Sequence, residues 1–193
     1  MAGEKPTEII LGSGYVYATE CTSSKEIPED ATFETDANLI GLIQGGATFV
    51  YTPTYYTAKD DMEIATKTVL TAEEAHLKGN LVTVQDKDPF SKLCSTAQVI
   101  DGQDGKKAIK IGGIANFNDK TYVVRFVHQD GKHRVTLIGV NQAEISINYT
   151  KDKETVIAFD YLAQSMDNTG VKAIYEDTTG VAAAANTAAN EGG

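Results

Sequence analysis

Apolar and polar residues alternate with a period of two along most of this chain, the spacing of half-buried strands. Residues 9–19 read as a first strand punctuated by Gly12-Ser13-Gly14, with Tyr15 and Tyr17 on one face and Val16 on the other. A polar loop over 21–33, broken at Ile27-Pro28, leads to a short strand at 38–43. The most informative stretch follows. Residues 46–58 form a long, aromatic-rich strand that runs into the charged turn Lys59-Asp60-Asp61, and a second strand-rich segment occupies 62–84. Together they predict a long hairpin, 46–84, reaching beyond the core of one domain. Pro53 has no N–H to give a ladder, so the strand there must be an edge or carry a bulge.

Residues 72–78 admit two readings. Thr71-Ala72-Glu73-Glu74 is a capping box and Gly79 a stop, which allows two helical turns. Ala75, Leu77, Leu81, Val82 and Val84 equally continue the strand, and strand is preferred. A clearer short helix starts at Asp88 as cap, with Pro89 in the first helical position. Phe90, Leu93 and Cys94 share one of its faces, and it ends near Ser95 or Thr96. It should cover the open side of a sheet.

From there the pattern is a meander: 97–100, then 108–111, then an alternation of Tyr122, Val124, Phe126 and His128 against Val123, Arg125 and Val127. Gln129-Asp130-Gly131-Lys132 is a strong hairpin turn, since glycine supplies the positive φ it needs. Strands at 135–140, 143–149, 155–162 and 171–175 complete the series. Residues 178–193 change character, being rich in Ala and Gly with one charge, Glu191, and read as a disordered tail or an arm that orders on assembly. The chain is thus expected to be a single mainly β domain over 1–177, led by a polar segment at 1–8, plus that tail.

Composition narrows the function classes. At 193 residues and 41% hydrophobic, the chain has material for one sizeable core. Seventeen basic against 27 acidic residues leave a formal net charge of −10, without the basic footprint of a protein that grips nucleic acid. Two cysteines, Cys21 and Cys94, are too few for a disulfide scaffold; Cys94 reads as a buried thiol and Cys21 as partly exposed. No signal peptide or membrane-length apolar run is visible, so synthesis in the cytoplasm and no membrane binding are expected. The acceptor pattern Asn148-Tyr149-Thr150 carries little weight without a secretion signal.

No constellation points to catalysis. His128 and His133 can face each other across the Asp130-Gly131 turn and, with Asp130, hold a metal, but two histidines alone do not complete a zinc or iron site, and a role as semi-exposed strand residues is preferred. His76 beside Glu74 lacks a third ligand. Asp101-x-x-Asp104-Gly105 and Asp86-x-Asp88 are only fragments of a calcium loop. Lys110-Ile111-Gly112-Gly113 is not in phosphate-loop order, and Ser13 lacks the nucleophile-elbow setting. No catalytic, cofactor or metal residue is assigned, and no enzyme activity is expected. Tyr51, Tyr55 and Tyr56 instead offer broad amphipathic contact area at small entropic cost, which suits an assembly interface. Lys59, Asp60 and Asp61 at the tip either pair with a neighbour or face solvent.

Several blocks in order along about 170 residues resemble the major tail tube proteins of long-tailed phages of Gram-positive bacteria. Leu11-Gly12-Ser13-Gly14-Tyr15 resembles that family's opening strand. Gly41-Leu42-Ile43-Gln44-Gly45-Gly46-Ala47 and Thr54-Tyr55-Tyr56-Thr57-Ala58-Lys59-Asp60-Asp61 resemble its first long hairpin. Lys92-Leu93-Cys94-Ser95-Thr96 is similar to its helix end, Lys110-Ile111-Gly112-Gly113 to a later strand end, and Lys151-Asp152-Lys153-Glu154-Thr155 to the turn before its closing strands.

The resemblance implies two packed antiparallel sheets forming a β-sandwich or barrel, one short flanking α-helix and a long projecting hairpin. It further implies hexameric rings that join their inner sheets around a lumen and stack, with the hairpin near 51–66 and the N-terminal segment reaching adjacent subunits. The tube would be a passive conduit for genome ejection in a virion tail assembled in the host bacterial cytoplasm. Its partners would be further copies of itself, a tape-measure protein in the lumen, baseplate and tail terminator proteins, a sheath protein if the tail is contractile, and DNA in transient non-specific passage. Tail-like bacteriocins use related tubes. The competing expectations are a monomeric β-sandwich binding a ligand or carbohydrate, and a single-ring tail terminator or baseplate component.

Overall fold

The computed structural model describes residues 12–62, 64–83, 89–101 and 107–179. The polar lead, the Asp88 cap, residues 84–88 and 102–106, and residues 180–193 of the tail lie outside the described residues. The chain runs β1 (Gly14–Glu20), α1 (Asp30–Phe33), β2 (Leu39–Lys59), β3 (Thr66–Thr83), α2 (Pro89–Leu93), β4 (Gln98–Asp101), β5 (Lys107–Lys110), a 3-10 turn (Ile114–Asn116), β6 (Tyr122–His128), β7 (His133–Asn141), β8 (Ile157–Ala163) and β9 (Ala173–Asp177).

The protein is mainly β, built on one large antiparallel sheet with a small second sheet of β4 and β5. The large sheet runs β6-β1-β2-β3-β8-β7, and β7 pairs back onto β6, so six strands close into a barrel while β9 adds to β7. Closure explains the burial pattern. Alternate residues Val16 and Ala18, Leu77 and Leu81, Tyr122 and Val124, Phe159 and Tyr161 converge on one core cluster.

α2 has only five residues and no length to stabilise itself. Its carbonyls are instead met by side chains from the barrel. The Tyr122 hydroxyl donates to the Ser91 carbonyl (3.1 Å), the Tyr161 hydroxyl to Lys92 (3.1 Å) and the Asn141 amide to Leu93 (2.8 Å). Leu93 is buried in the core and Phe90 packs against it; Cys94 follows the helix, half-buried, its thiol 3.3 Å from the Thr96 hydroxyl.

On the other face of β6 and β7 a smaller cluster of Phe33, Val123, Ile138 and Met166 is covered by α1. Arg125 is buried there. Its guanidinium lies 4.9 Å from the Phe33 ring centroid and donates to Thr136 (2.9 Å), Glu34 (3.1 Å) and Asp30.

Several expectations need correction. The loop over 21–33 contains α1, whose polar sequence hides it. Residues 38–43 and 46–58 belong to one strand, β2, bent by register shifts at Leu42/Ile43, Gln44/Ala47 and Thr54/Tyr55. Residues 72–78, by contrast, are strand within β3, the preferred of the two readings. Residues 143–149 are not a ladder strand. Their alternation is real, since Ile145 and Ile147 pack on the core, but no strand among the described residues pairs with them. His128 and His133 are buried rather than semi-exposed.

Candidate assembly surface

β2 and β3 pair from Leu42↔Thr83 out to Lys59↔Thr66, yet the rest of the barrel supports only their inner ends. β1 covers the outer edge of β2 no further than Leu42, and β8 covers β3 only from His76 to Leu81. Beyond those points the ribbon leaves the barrel as a two-stranded arm, at ~3.4 Å per residue about 30 Å long over residues 51–59. Among the described residues neither long edge of the arm has a ladder partner. Nearly all its side chains are exposed on both faces.

Tyr55 and Tyr56, adjacent and therefore on opposite faces, are each 61% exposed. They sit across from Leu70 and Val69, which are also exposed. Tyr51 lies nearer the barrel and donates its hydroxyl to Glu73 (2.8 Å); that hydrogen bond raises its pKa. Met62 and Ile64 stand exposed at the tip. Pro53 falls where the sequence requires, on a strand with an open edge and beside the Thr54/Tyr55 register shift.

The tip residues divide by role. Asp60 closes the turn: its carboxylate accepts the Ala65 N–H (2.7 Å) and its own N–H reaches the Ala65 carbonyl (3.2 Å). Asp61 and Lys59 are exposed. The arm therefore brings Tyr51, Tyr55, Tyr56, Lys59, Asp60 and Asp61 onto one projecting element, while Phe90, Leu93 and Cys94 lie apart from it around α2. Sequence reasoning missed Val69, Leu70, Met62 and Ile64 as part of the same surface. They read as ordinary strand residues, and only the lack of a covering layer distinguishes them.

At the arm's base, Asp160 of β8 accepts from His76 (2.7 Å) and meets Lys78 (3.0 Å). Desolvation pushes the Asp160 carboxyl up, but these two partners outweigh it and hold the pKa below the usual carboxylate value.

A separate polar cluster occupies the β6–β7 turn. Gly131, at φ +71°, closes the turn, with its N–H bonded to the His128 carbonyl. His128 Nδ1 is 3.0 Å from Asp130 Oδ1, and His133 Nδ1 is 2.8 Å from Asp130 Oδ2. The same carboxylate accepts the N–H groups of Lys132 (2.7 Å) and His133 (3.3 Å). Desolvation again acts to raise the Asp130 pKa, and the Lys132 N–H, both imidazoles and the His133 N–H together hold it well below the carboxylate range. Among the described residues, the buried Nε2 of His128 has no hydrogen-bond partner.

No protein-family model matches this chain, and no curated protein does. The arm, the α2 environment and the histidine turn are therefore read from their own chemistry. No helix among the described residues is long and apolar enough to cross a membrane.

Proposed function

We propose that this chain is a self-assembling structural subunit whose copies form rings that stack into a hollow tube, as in the phage tail tube proteins its sequence resembles. One observation carries the reading: an arm about 30 Å long that exposes aromatic and aliphatic side chains on both faces and, among the described residues, has no ladder partner on either edge. A two-stranded ribbon is marginal on its own in water, and its unpaired N–H and C=O groups are a template for another chain. The sequence keeps it long and aromatic rather than blunting it. Docking such an arm on a different surface of the next copy is a heterologous contact, which propagates instead of closing on itself.

In this reading the subunit is structural and not an enzyme, it forms hexameric rings, and the finished tube is a passive conduit for genome ejection in a virion tail. The tape-measure protein would occupy the lumen during assembly, with a sheath outside only in a contractile tail.

Negative-stain electron microscopy of the purified chain, concentrated stepwise, tests this directly. Hollow filaments or stacked rings are expected. The double variant Tyr55→Ser, Tyr56→Ser should keep the wild-type circular dichroism and thermal midpoint while losing filaments. Uniform small particles for wild type at every concentration, with or without added tail-initiation proteins, would overturn the proposal.

A further inference from the structure

We propose that the β6–β7 turn is a binding site for a divalent transition-metal cation of the zinc class, ligated by Nδ1 of His128, the Asp130 carboxylate and Nδ1 of His133. These three groups offer donor atoms that all lie within 4.8 Å of one another. They come from a six-residue turn whose backbone already fixes the central one. Asp130 is held by the Lys132 and His133 N–H groups, so its carboxylate is aimed before any ion arrives. Both imidazole side chains are only 9% exposed, whereas the Asp130 side chain is 31% exposed. Buried rings thus wall the site and the carboxylate side leaves it open to solvent.

The donor set decides the class of ion. Two imidazoles and one carboxylate suit zinc, cobalt or nickel; calcium and magnesium prefer oxygen ligands throughout. Three protein ligands leave a coordination position for water.

Two further features favour an ion over a plain hydrogen-bonded turn. His128 Nδ1 faces both the Asp130 N–H (3.4 Å) and Asp130 Oδ1 (3.0 Å), and one ring nitrogen cannot accept from the first while donating to the second. A cation between the two would use the nitrogen lone pair and the carboxylate together without a proton, giving up only the long Asp130 N–H contact. His133 turns its other nitrogen, Nε2, toward Asp177 Oδ1 on β9, 3.6 Å away. An outer carboxylate behind a ligating imidazole is the usual means of fixing its tautomer and orientation. Asp177 is itself oriented by the Thr179 N–H (2.9 Å) and hydroxyl (2.6 Å). A bound ion would tie β6, β7 and β9 together at this end of the barrel, independently of any assembly through the arm.

The test uses the full chain without a histidine tag, stripped with a chelator and dialysed against zinc or cobalt. The expected result is one equivalent of zinc retained per chain, a thermal midpoint that rises with zinc concentration, and visible cobalt absorption characteristic of nitrogen and oxygen ligation. Asp130→Asn keeps a turn-capping oxygen but weakens the ligand, and His133→Gln removes one imidazole. Each should lower zinc affinity at least tenfold, and Asp177→Asn should lower it by about tenfold through loss of orientation. Calcium should leave the midpoint unchanged. Wild type that retains no zinc, or that retains as much as Asp130→Asn and His133→Gln with both variants folded, would show a hydrogen-bonded turn and overturn the proposal.

Discussion

A guanidinium under a layer of protein must find all its partners there, and Arg125 does so: two carboxylates, a hydroxyl and an aromatic face. Asp30 is largely exposed and contributes little, whereas Glu34 is mostly buried and also receives Arg134 Nε at 2.7 Å. Removing the cation leaves Glu34 with Arg134 as its remaining cation and takes the guanidinium donor from Thr136, so Arg125→Met is expected to cost about 2 kcal/mol, read from urea unfolding with the slope unchanged. Asp160 gives a pH signature. Its pKa is lowered in the folded state, so its stabilisation is complete above the unfolded carboxylate value of ~3.9 and is lost as pH falls through the folded value. Asp160→Asn should lower stability at neutral pH and flatten the acid limb, measured as unfolding free energy between about pH 6 and pH 3. At this scale the sequence was only partly legible. Alternation placed Val123, Arg125 and Val127 on one face, but the lid that buries Arg125 comes from a polar loop with no apolar period to reveal α1.

Among the elements, β7 carries the topology, because it pairs with β6, β8 and β9. Gly139 is where it passes between two of them: a Cβ there would stand 2.2 Å from the Leu162 carbonyl oxygen, a backbone atom that cannot step aside alone. Gly139→Ala is therefore expected to cost about 2 kcal/mol by prising β7 from β8, with faster hydrogen exchange at Val140 and Leu162 than in distant β1. Local pattern was enough for the β6–β7 hairpin, since Asp-Gly flanked by alternating apolar residues encodes it within a few positions. It did not decide 72–78, where a capping box competed with a strand. What decides there is the pairing of His76 to Leu81 with β8, a contact some eighty residues away in sequence. The reverse holds for 143–149, whose alternation is as regular as any strand but which meets no ladder partner among the described residues. The same limit applied to the candidate surface. Sequence marked Tyr51, Tyr55 and Tyr56, but their exposure follows from where β1 and β8 stop covering the ribbon.

For the whole molecule, charge and shape oppose each other, and salt separates them. Each copy carries a formal −10, so copies approaching in dilute buffer repel. Along its roughly 30 Å the arm offers a mostly uncharged contact of exposed tyrosines, Val69 and Leu70 among threonines, with open ladder edges. Screening shrinks the reach of the repulsion from ~30 Å at 0.01 M salt to ~8 Å at 0.15 M and leaves apolar and backbone contacts nearly untouched. If the arm's apolar and ladder groups drive association, raising salt through that range should lengthen the assemblies, followed by light scattering and sedimentation. If association rests instead on charge pairs at Lys59 and Asp61, the same titration should dissolve them. Deleting the arm from 51 to 74 should leave a folded monomer at every salt concentration, since the barrel core of Val16, Leu77, Phe159 and Tyr161 lies wholly inboard of it. Salt-promoted growth in the full chain together with a salt-indifferent monomer in the deletion would assign the driving force to the ribbon itself.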